Sequence, residues 1–492
     1  MSQLSVQADR QAPQAGSAHA QLVVIGGGPG GYAAAFLAAD KGMQVTLVDA
    51  DRRLGGTCLL RGCIPSKALL HVARVIEETH ELADWGVQFG PAQVELQRLR
   101  ERKEKLIQTL SGGLAQLARQ RKVRRIRARA SFLNSTTLRL HPVDQEELEL
   151  QQLSFDHCIV ATGSVPLKVP ALAIDSPRVM DSTDALELPE VPGSLLVVGG
   201  GYIGLELGTV YRALGSRVSV VELTDSLLPG MDPDLVAPLA KRLRKQLEAI
   251  YLKTRVLELK DRGEAVEVVM EGPEGIFTKS YDRVLVSIGR KPNTASLGLE
   301  NTQAKLDSRG FIQVNQQMRT DDPHLLAIGD CVGNPMLAHK AAHEGKVAVE
   351  GLLGEPAAMD TMAIPAVVFT DPEVAWVGYT EQQAARAGVQ IEVARYPWAA
   401  SGKAHSLGRT EGMTKLVVEA STQRVLGVGI VGPRAGDLIS EAALAVETGC
   451  TVRDLAETIH PHPTLSETVS FAAEMLLGTA TEIYRPHRAA RR

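Results

Sequence analysis

Cys58 and Cys63 stand in the run GGTCLLRGCIPSK, from Gly55 to Lys67. Two thiols this close in a chain can exchange with a disulfide, a two-electron reaction in which the thiolate attacks sulfur. Five residues of ideal helix rise roughly 7.5 Å, whereas a disulfide needs Cα atoms about 4.4–6.8 Å apart. A bond between the two therefore requires a bend, which Gly62 permits. Two unpaired thiols are the other reading of the same spacing. Pro65 suits the first turn of a helix starting just beyond, and the N–H groups of such a helix start favour a thiolate. The remaining cysteines, Cys158, Cys331 and Cys450, are scattered, and an odd, sparse set in a long chain is not a disulfide scaffold. No Cys/His cluster has zinc spacing, so no metal is expected.

A second set of chemically capable residues lies in HPHPTLSE, His460 to Glu467. Pro461 and Pro463 stiffen the backbone around His462. Glu467 is close enough to orient an imidazole and favour its protonated form, which suits acid–base work near neutral pH. By residue type alone, turn histidines are more often structural than catalytic.

The elements that must position these groups are organised by a repeat. Val23 to Asp49 reads VVIGGGPGGYAAAFLAADKGMQVTLVD, and Leu196 to Glu222 reads LVVGGGYIGLELGTVYRALGSRVSVVE. Each is an apolar strand, a glycine turn, a small-residue helix, a glycine stop and a second strand ending in an acid. The first glycine (Gly26, Gly199) makes the tight turn. The second (Gly28, Gly201) lets a pyrophosphate approach the backbone, and the third (Gly31, Gly204) packs helix on strand. Asp49 and Glu222, each 23 residues after its first glycine, are placed to accept ribose hydroxyls. Two such sites imply two dinucleotides. LTDSLLPG after Glu222 contains no Lys or Arg, so a 2′-phosphate would meet a carboxylate without a cation, which favours NAD over NADP.

Composition fits a large α/β protein. The chain has 492 residues, 44% hydrophobic and 22% charged, enough for several cores. A net charge of −4 argues against nucleic acid as a partner, since phosphate neutralisation needs a basic face. No apolar run spans a bilayer, and no membrane association is expected. Residues 1–20 lack an apolar signal core and read as a disordered leader, leaving the cytoplasm as the expected location. Arg98 to Arg129 holds twelve Lys/Arg against two acids. Leu99, Leu106, Leu110, Leu114 and Leu117 recur there at near-helical spacing, predicting an amphipathic helix with a basic solvated face and then a strand. A docking surface for an acidic partner is the alternative.

At GGTCLLRGCIPSK the sequence resembles the pyridine nucleotide-disulfide oxidoreductase family, and the resemblance runs over almost the whole chain. It implies FAD at the first glycine motif and NAD at the second. It implies a redox disulfide between Cys58, the thiol that meets substrate, and Cys63, the thiol that faces the flavin. It implies that Lys67 approaches the flavin and pairs with Glu206. Thr162 and Gly163 match the family's Ala-Thr-Gly turn, Gly289 opens the matching GRKPN run, and Asp330 ends TDDPHLLAIGD, where the family bonds the ribityl chain. His462 matches the family's acid–base and Glu467 its partner. Two positions depart from the usual pattern: Leu60-Arg61 replaces Asn-Val between the cysteines, and Asp49 replaces a Glu.

The implied architecture is α/β: two Rossmann-like dinucleotide-binding domains plus a C-terminal α+β dimerisation domain. The expected boundaries are a leader at 1–20, the FAD-binding domain at 21–167 and 290–360, the NAD-binding domain at 168–289 and the dimer interface at 361–492. Within the last, VVEASTQRVLGV reads as a hairpin and DLISEAALAVETG, Asp437 to Gly449, as an amphipathic helix. In the family this domain makes a homodimer and lends its histidine to the partner's flavin. PSK after the second cysteine, PNTASLGLE and HPHPTLSE place the chain nearest the members that oxidise dihydrolipoamide. Their partners are lipoyl domains of a 2-oxo acid dehydrogenase complex or the glycine cleavage system. A glutathione- or mercuric-reductase-like activity, or a mainly structural NAD(H)-responsive flavoprotein subunit, is the competing expectation.

Overall fold

The computed structural model describes residues 17–144 and 146–483. They form two compact units. One comprises the chain up to Leu60, Leu106–Val165 and Arg290–Asp360; the other comprises Arg61–Lys105, Pro166–Gly289 and the chain from Thr361.

The first unit is built on strands β1 (Ser17–Ile25), β2 (Val45–Asp49), β3 (Arg124–Arg127), β4 (Arg129–Asn134), β5 (Thr137–His141) and β6 (Gln152–Val160), in the order β3-β2-β1-β6-β5-β4. Strand Leu325–Ala327 also pairs with β6. β1 runs parallel to both neighbours, with Val23 opposite Thr46 on one side and Cys158 on the other. Leu22, Val23 and Val24 are wholly buried without alternation, as a central parallel strand covered on both faces requires. Helix α1 (Pro29–Asp40) buries Gly30, Gly31, Ala34, Ala35 and Ala38. These small residues permit close approach: a Cβ on Gly345, in helix Ala338–Leu352, would stand 2.8 Å from the Gly30 carbonyl oxygen. One expectation is corrected here. Ser17 to Ala20, assigned to the leader, are strand, because their backbone pairs with Gln152 to Phe155 of β6. The rest of the leader, residues 1–16, lies outside the described residues.

In the second unit, five parallel strands pair in the order Ala249–Tyr251, Arg217–Val221, Ser194–Val198, Arg283–Val286, Val179–Met180. An antiparallel three-stranded sheet covers Arg255–Tyr281. The C-terminal part is a five-stranded antiparallel sheet carrying helices Ala435–Glu447 and Glu467–Leu477. The expected hairpin is present, with Leu416 opposite Val428, and the expected helix begins two residues early, at Ala435.

The basic stretch contains helix α4, Leu96–Gln120, followed by β3, but its buried face differs from the leucine pattern. Leu110 and Leu117 are exposed, while Lys103, Ile107, Ser111 and Ala118 are buried. Lys103 is inside because its ammonium donates to the Leu186 carbonyl, and Arg100 donates to Leu188 and Pro189 at 3.4 and 3.1 Å. Both cations thereby satisfy carbonyls at and just past the C-terminal end of the short helix Ser182–Glu187. In the first unit Arg121 pairs with Asp40 at 2.9 Å, and Arg127 with Asp144 and Glu146. Arg121 and Arg127 are thus paired with acids of the chain itself, while the carbonyls that hold Arg100 and Lys103 fix these cations in place without neutralising them.

Candidate active site

Each unit carries one glycine turn, and the glycines of both fall into the same two physical kinds. A Cβ on Gly26 (φ +109°) would lie 2.2 Å from the Ala161 carbonyl oxygen, and one on Gly31 only 1.8 Å from the Gly26 oxygen. Gly199 (φ +109°) and Gly204 repeat this, at 2.5 Å from the Ser287 oxygen and 2.4 Å from the Gly199 oxygen. These four are required by packing. Gly28 and Gly201 are different: Gly28's nearest atom is the Gly56 Cα at 3.8 Å, and nothing lies within 4 Å of a Cβ on Gly201. Each caps its helix in extended backbone. Open space in front of a helix N-terminus is what a diphosphate needs, so both turns fit a dinucleotide.

Each acid braces its own turn. Asp49 accepts from the backbone N–H of Gly27 and from that of Asp51 at 2.7 Å. Glu222, buried, accepts from Gly200 N–H at 2.7 Å and from the Thr224 N–H and hydroxyl at 2.8 and 2.9 Å. A carboxylate oxygen has two acceptor sites, so capacity remains for a ribose hydroxyl.

Around Asp330 the structure adds groups that the sequence reading missed. The Ser164 hydroxyl donates to Asp330 at 2.5 Å, and Arg290 clasps Ser164 through its hydroxyl and carbonyl, both at 2.7 Å. The turn before it, Gly329 at φ +80°, donates its N–H to Glu344 at 2.6 Å. Glu344 is itself buried and paired with Lys340 at 2.8 Å. Ser164 and Arg290 directly follow the Thr162-Gly163 and Gly289 marks, and Lys340 and Glu344 show i,i+4 spacing in one helix; these were the available signals. Gly163 (φ +69°) accepts from the Asn293 N–H at 3.0 Å, which joins the Ala-Thr-Gly turn to the Pro-Asn run. Gly289 (φ +125°) sits at the end of the second unit's nucleotide-binding segment and accepts from Leu167 N–H at 3.0 Å.

Cys58 lies in helix α2 (Gly56–Arg61), and Cys63 is the first residue of helix α3 (Cys63–Glu81). Gly62 breaks the helical path between them, at φ −148° and ψ −113°. A bond between the two cysteines would require such a break in the helix. Cys58 is half-buried and Cys63 exposed. The glycines before Cys58 seat α2 on the first glycine turn. Gly55 N–H donates to Gly27 at 2.8 Å, and a Cβ on Gly56 would stand 2.6 Å from the Gly28 Cα. Tyr32 of α1 is a neighbour: burial pushes its phenol pKa up, and the charge of Cys58 adds to the rise.

One turn along α3 from Cys63, the Lys67 ammonium donates to Glu206 Oε2 at 2.8 Å. Glu206 is buried in helix Tyr202–Leu214, and its other oxygen accepts the Phe369 N–H at 2.9 Å. Phe369 was not anticipated.

The two histidines of HPHPTLSE separate cleanly. His460 is 7% exposed and saturated, with Glu441 at 2.7 Å and the Thr458 carbonyl at 2.8 Å. His462 is 76% exposed, and its Nδ1 lies 3.0 Å from Glu467, which is 5% exposed. A carboxylate only accepts, so Nδ1 carries the proton and the lone pair of the neutral imidazole is on Nε2. Glu467 begins helix Glu467–Leu477, where the helix dipole favours a negative charge.

Among the described residues one acidic cluster converges, Asp232, Asp234 and Glu381. The buried Lys415 ammonium already fills it, 2.8 Å from Asp232 and 2.9 Å from Asp234. No helix among the described residues is long and apolar enough to cross a membrane.

Comparison with known proteins agrees with this geometry. Residues 20–345 match the pyridine nucleotide-disulphide oxidoreductase family and residues 364–473 its dimerisation domain. The chain belongs to this family. A dihydrolipoyl dehydrogenase of Vibrio cholerae is 48% identical, covering 94% of this chain and 97% of that protein. One from Geobacillus stearothermophilus is 43% identical over 94% and 97%. Among solved structures, LpdA of Mycobacterium tuberculosis superposes with a TM-score of 0.84 at 30% identity, covering 93% of this chain and 99% of that one. The flavoprotein disulfide reductase RclA of Escherichia coli gives 0.82 at 28%, covering 93% and 100%. This chain is an α/β oxidoreductase with FAD and NAD as cofactors and a C-terminal dimerisation domain.

Proposed function

We propose that the chain oxidises dihydrolipoamide carried on lipoyl domains and reduces NAD⁺, through a Cys58–Cys63 disulfide. The observation that carries this reading is the broken helix at Gly62, with Cys63 at the start of α3 and the Lys67–Glu206 pair one turn along.

His462 of one subunit takes a proton at Nε2 from a substrate thiol, and Glu467 steadies the resulting imidazolium through Nδ1. The substrate thiolate attacks Cys58 sulfur, breaking the Cys58–Cys63 bond and leaving Cys63 as thiolate. The second substrate sulfur then displaces Cys58, its proton passing to the departing Cys58 sulfur, so lipoamide leaves oxidised and the protein pair holds its two electrons. The two-electron chemistry that would pass these electrons to NAD⁺ and restore the disulfide is what bound FAD would supply. Lys67 contributes a fixed positive charge near the Cys63 thiolate. Asp330, held by Ser164, would anchor the flavin's sugar chain, and Glu222 would take the NAD ribose.

Purified protein should reduce lipoamide with NADH and leave glutathione disulfide untouched. NAD⁺ should be preferred over NADP⁺ by at least about tenfold in kcat/KM, about 1.4 kcal/mol. Equal kcat/KM for the two nucleotides would refute the role of Glu222, and turnover of glutathione disulfide would refute the substrate.

A further inference from the structure

The Lys67 ammonium has two partners within the second unit. Besides Glu206 at 2.8 Å, it lies over the ring of Phe369, 4.4 Å from the centroid. Lys67 is 30% exposed and Glu206 only 5%, so the ring covers a cation that is partly withdrawn from water. Phe369 reaches the pair in a second way, since its N–H donates to the Glu206 oxygen that Lys67 does not use. The ring holds the cation and the backbone holds the anion.

Phe369 is itself fixed. It follows strand Ala366–Val368, and Thr370 closes the next turn by donating to the Pro372 carbonyl at 2.9 Å. At Glu373 the same segment is tied to α3, through Arg74, and to the Gly436 N–H at 2.9 Å. Lys67 and Arg74 lie two turns apart on α3, so segment 369–373 grips the helix at two points. Both residues line one cavity of about 260 Å³ together with His71 and Phe369. Lys67 is also the i+4 neighbour of Cys63, which puts their side chains on one helix face.

We propose that Phe369 is a positioning residue: its ring and N–H hold the Lys67–Glu206 pair so that the ammonium is a fixed charge beside Cys63. This rests on the function proposed above for Lys67. Phe369 lies within the matched dimerisation domain and Lys67 within the matched nucleotide-binding part. The C-terminal domain would thus set the electrostatics of the redox helix as well as mediate dimer formation. A ring over a partly desolvated cation restrains it by a factor of about three to ten. Phe369→Leu removes the ring and keeps both bulk and the N–H to Glu206; Phe369→Tyr keeps the ring.

Reactivity of the Lys67 amine toward an activated ester, read by mass spectrometry on holoenzyme, tests this. Phe369→Leu should raise the labelling rate about three- to tenfold and shift the long-wavelength absorption of the two-electron-reduced enzyme. Phe369→Tyr should restore both, and Phe369→Met, measured alongside, guards against poor folding of the Leu variant. Unchanged Lys67 labelling in both the Leu and Met variants would overturn the role of Phe369 while leaving the proposed reaction standing. Failure of Tyr to rescue would reduce Phe369 to packing. A Lys67→Met enzyme with wild-type spectrum and turnover would overturn the function of Lys67 itself, whatever Phe369 does.

Discussion

Gly201 and Gly204 stand three residues apart in one turn, and the structure predicts opposite phenotypes for replacing them with alanine. Gly201 has φ −77° and ψ 174°, a conformation open to any residue, and nothing lies within 4 Å of its Cβ position. Gly201→Ala should leave the fold nearly intact, with a small loss because alanine caps a helix less well than glycine. The added methyl instead occupies the space that a diphosphate must enter. KM for NAD⁺ should rise at least about tenfold, equivalent to about 1.4 kcal/mol. Gly204→Ala places a methyl 2.4 Å from the Gly199 oxygen, 2.5 Å from Ser287 Oγ and 2.8 Å from Val197 Cγ1. Two of these atoms belong to backbone or a central strand, so neither can move cheaply. Such overpacking costs about 1–3 kcal/mol, and at about 2–4 °C per kcal/mol for a domain this size Tm should fall by roughly 2–12 °C. Thermal unfolding of flavin-loaded protein without NAD, together with NAD⁺ titration of the initial rate, separates the two effects. If Gly201→Ala kept its KM, or lost as much Tm as Gly204→Ala, the division into approach and packing glycines would be wrong.

Two further outcomes concern the thiols and the dimer. Two-electron reduction of the enzyme should give a long-wavelength thiolate–flavin band that Cys63→Ser abolishes and Cys58→Ser retains; the reverse pattern would exchange the roles of the two sulfurs. Subunits carrying Cys58→Ser mixed with subunits carrying His462→Gln should recover roughly a quarter of wild-type activity, because half of randomly reassorted dimers are mixed and each holds one intact site. Activity that stays at the homodimer background after verified subunit exchange would mean that His462 serves its own chain.

The parts of this protein legible in the sequence are those fixed by local geometry. Gly31 and Gly204 announce themselves because any side chain there would strike the Gly26 and Gly199 carbonyls of the same motif, whereas Gly26 and Gly199 are marked by the motif spacing although a side chain there would strike Ala161 and Ser287, far along the chain. Spacing likewise called for a bend between the cysteines, and Gly62 supplies it. Contacts between segments distant in sequence were invisible to spacing, and the Lys67–Glu206 pair, across 139 residues, was expected only through the family resemblance. Phe369 meets Glu206 across 163 residues, and Ser164 meets Asp330 across 166. Nothing local marks Phe369, and Ser164 is marked only by its place directly after Gly163. The face of α4 was misread for a different reason. Hydrophobic periodicity counts apolar residues, whereas that helix buries Lys103 and Ser111 and leaves Leu110 and Leu117 in water. Lys103 is tolerated inside because the Leu186 carbonyl takes its proton donor. His460 and His462 looked equivalent as letters, and only burial tells a saturated structural imidazole from an exposed one.

The acids closing the two glycine turns explain why glycines, and not acids, make the cleaner test of nucleotide binding. Asp49 and Glu222 occupy equivalent places, yet each spends acceptor capacity on its own loop. Asp49 holds Gly27 and Asp51; Glu222 holds Gly200 and Thr224. The shorter Asp49 reaches the same backbone N–H as Glu222, which is why the departure from the family's usual Glu leaves the turn intact. Removing either carboxylate would leave a loop N–H without its partner as well as removing a ribose acceptor. Loss of affinity in such a variant would mix turn collapse with lost recognition. At Gly201 the two are separable, because a methyl there touches nothing in the protein and everything it changes lies in the space reserved for the ligand.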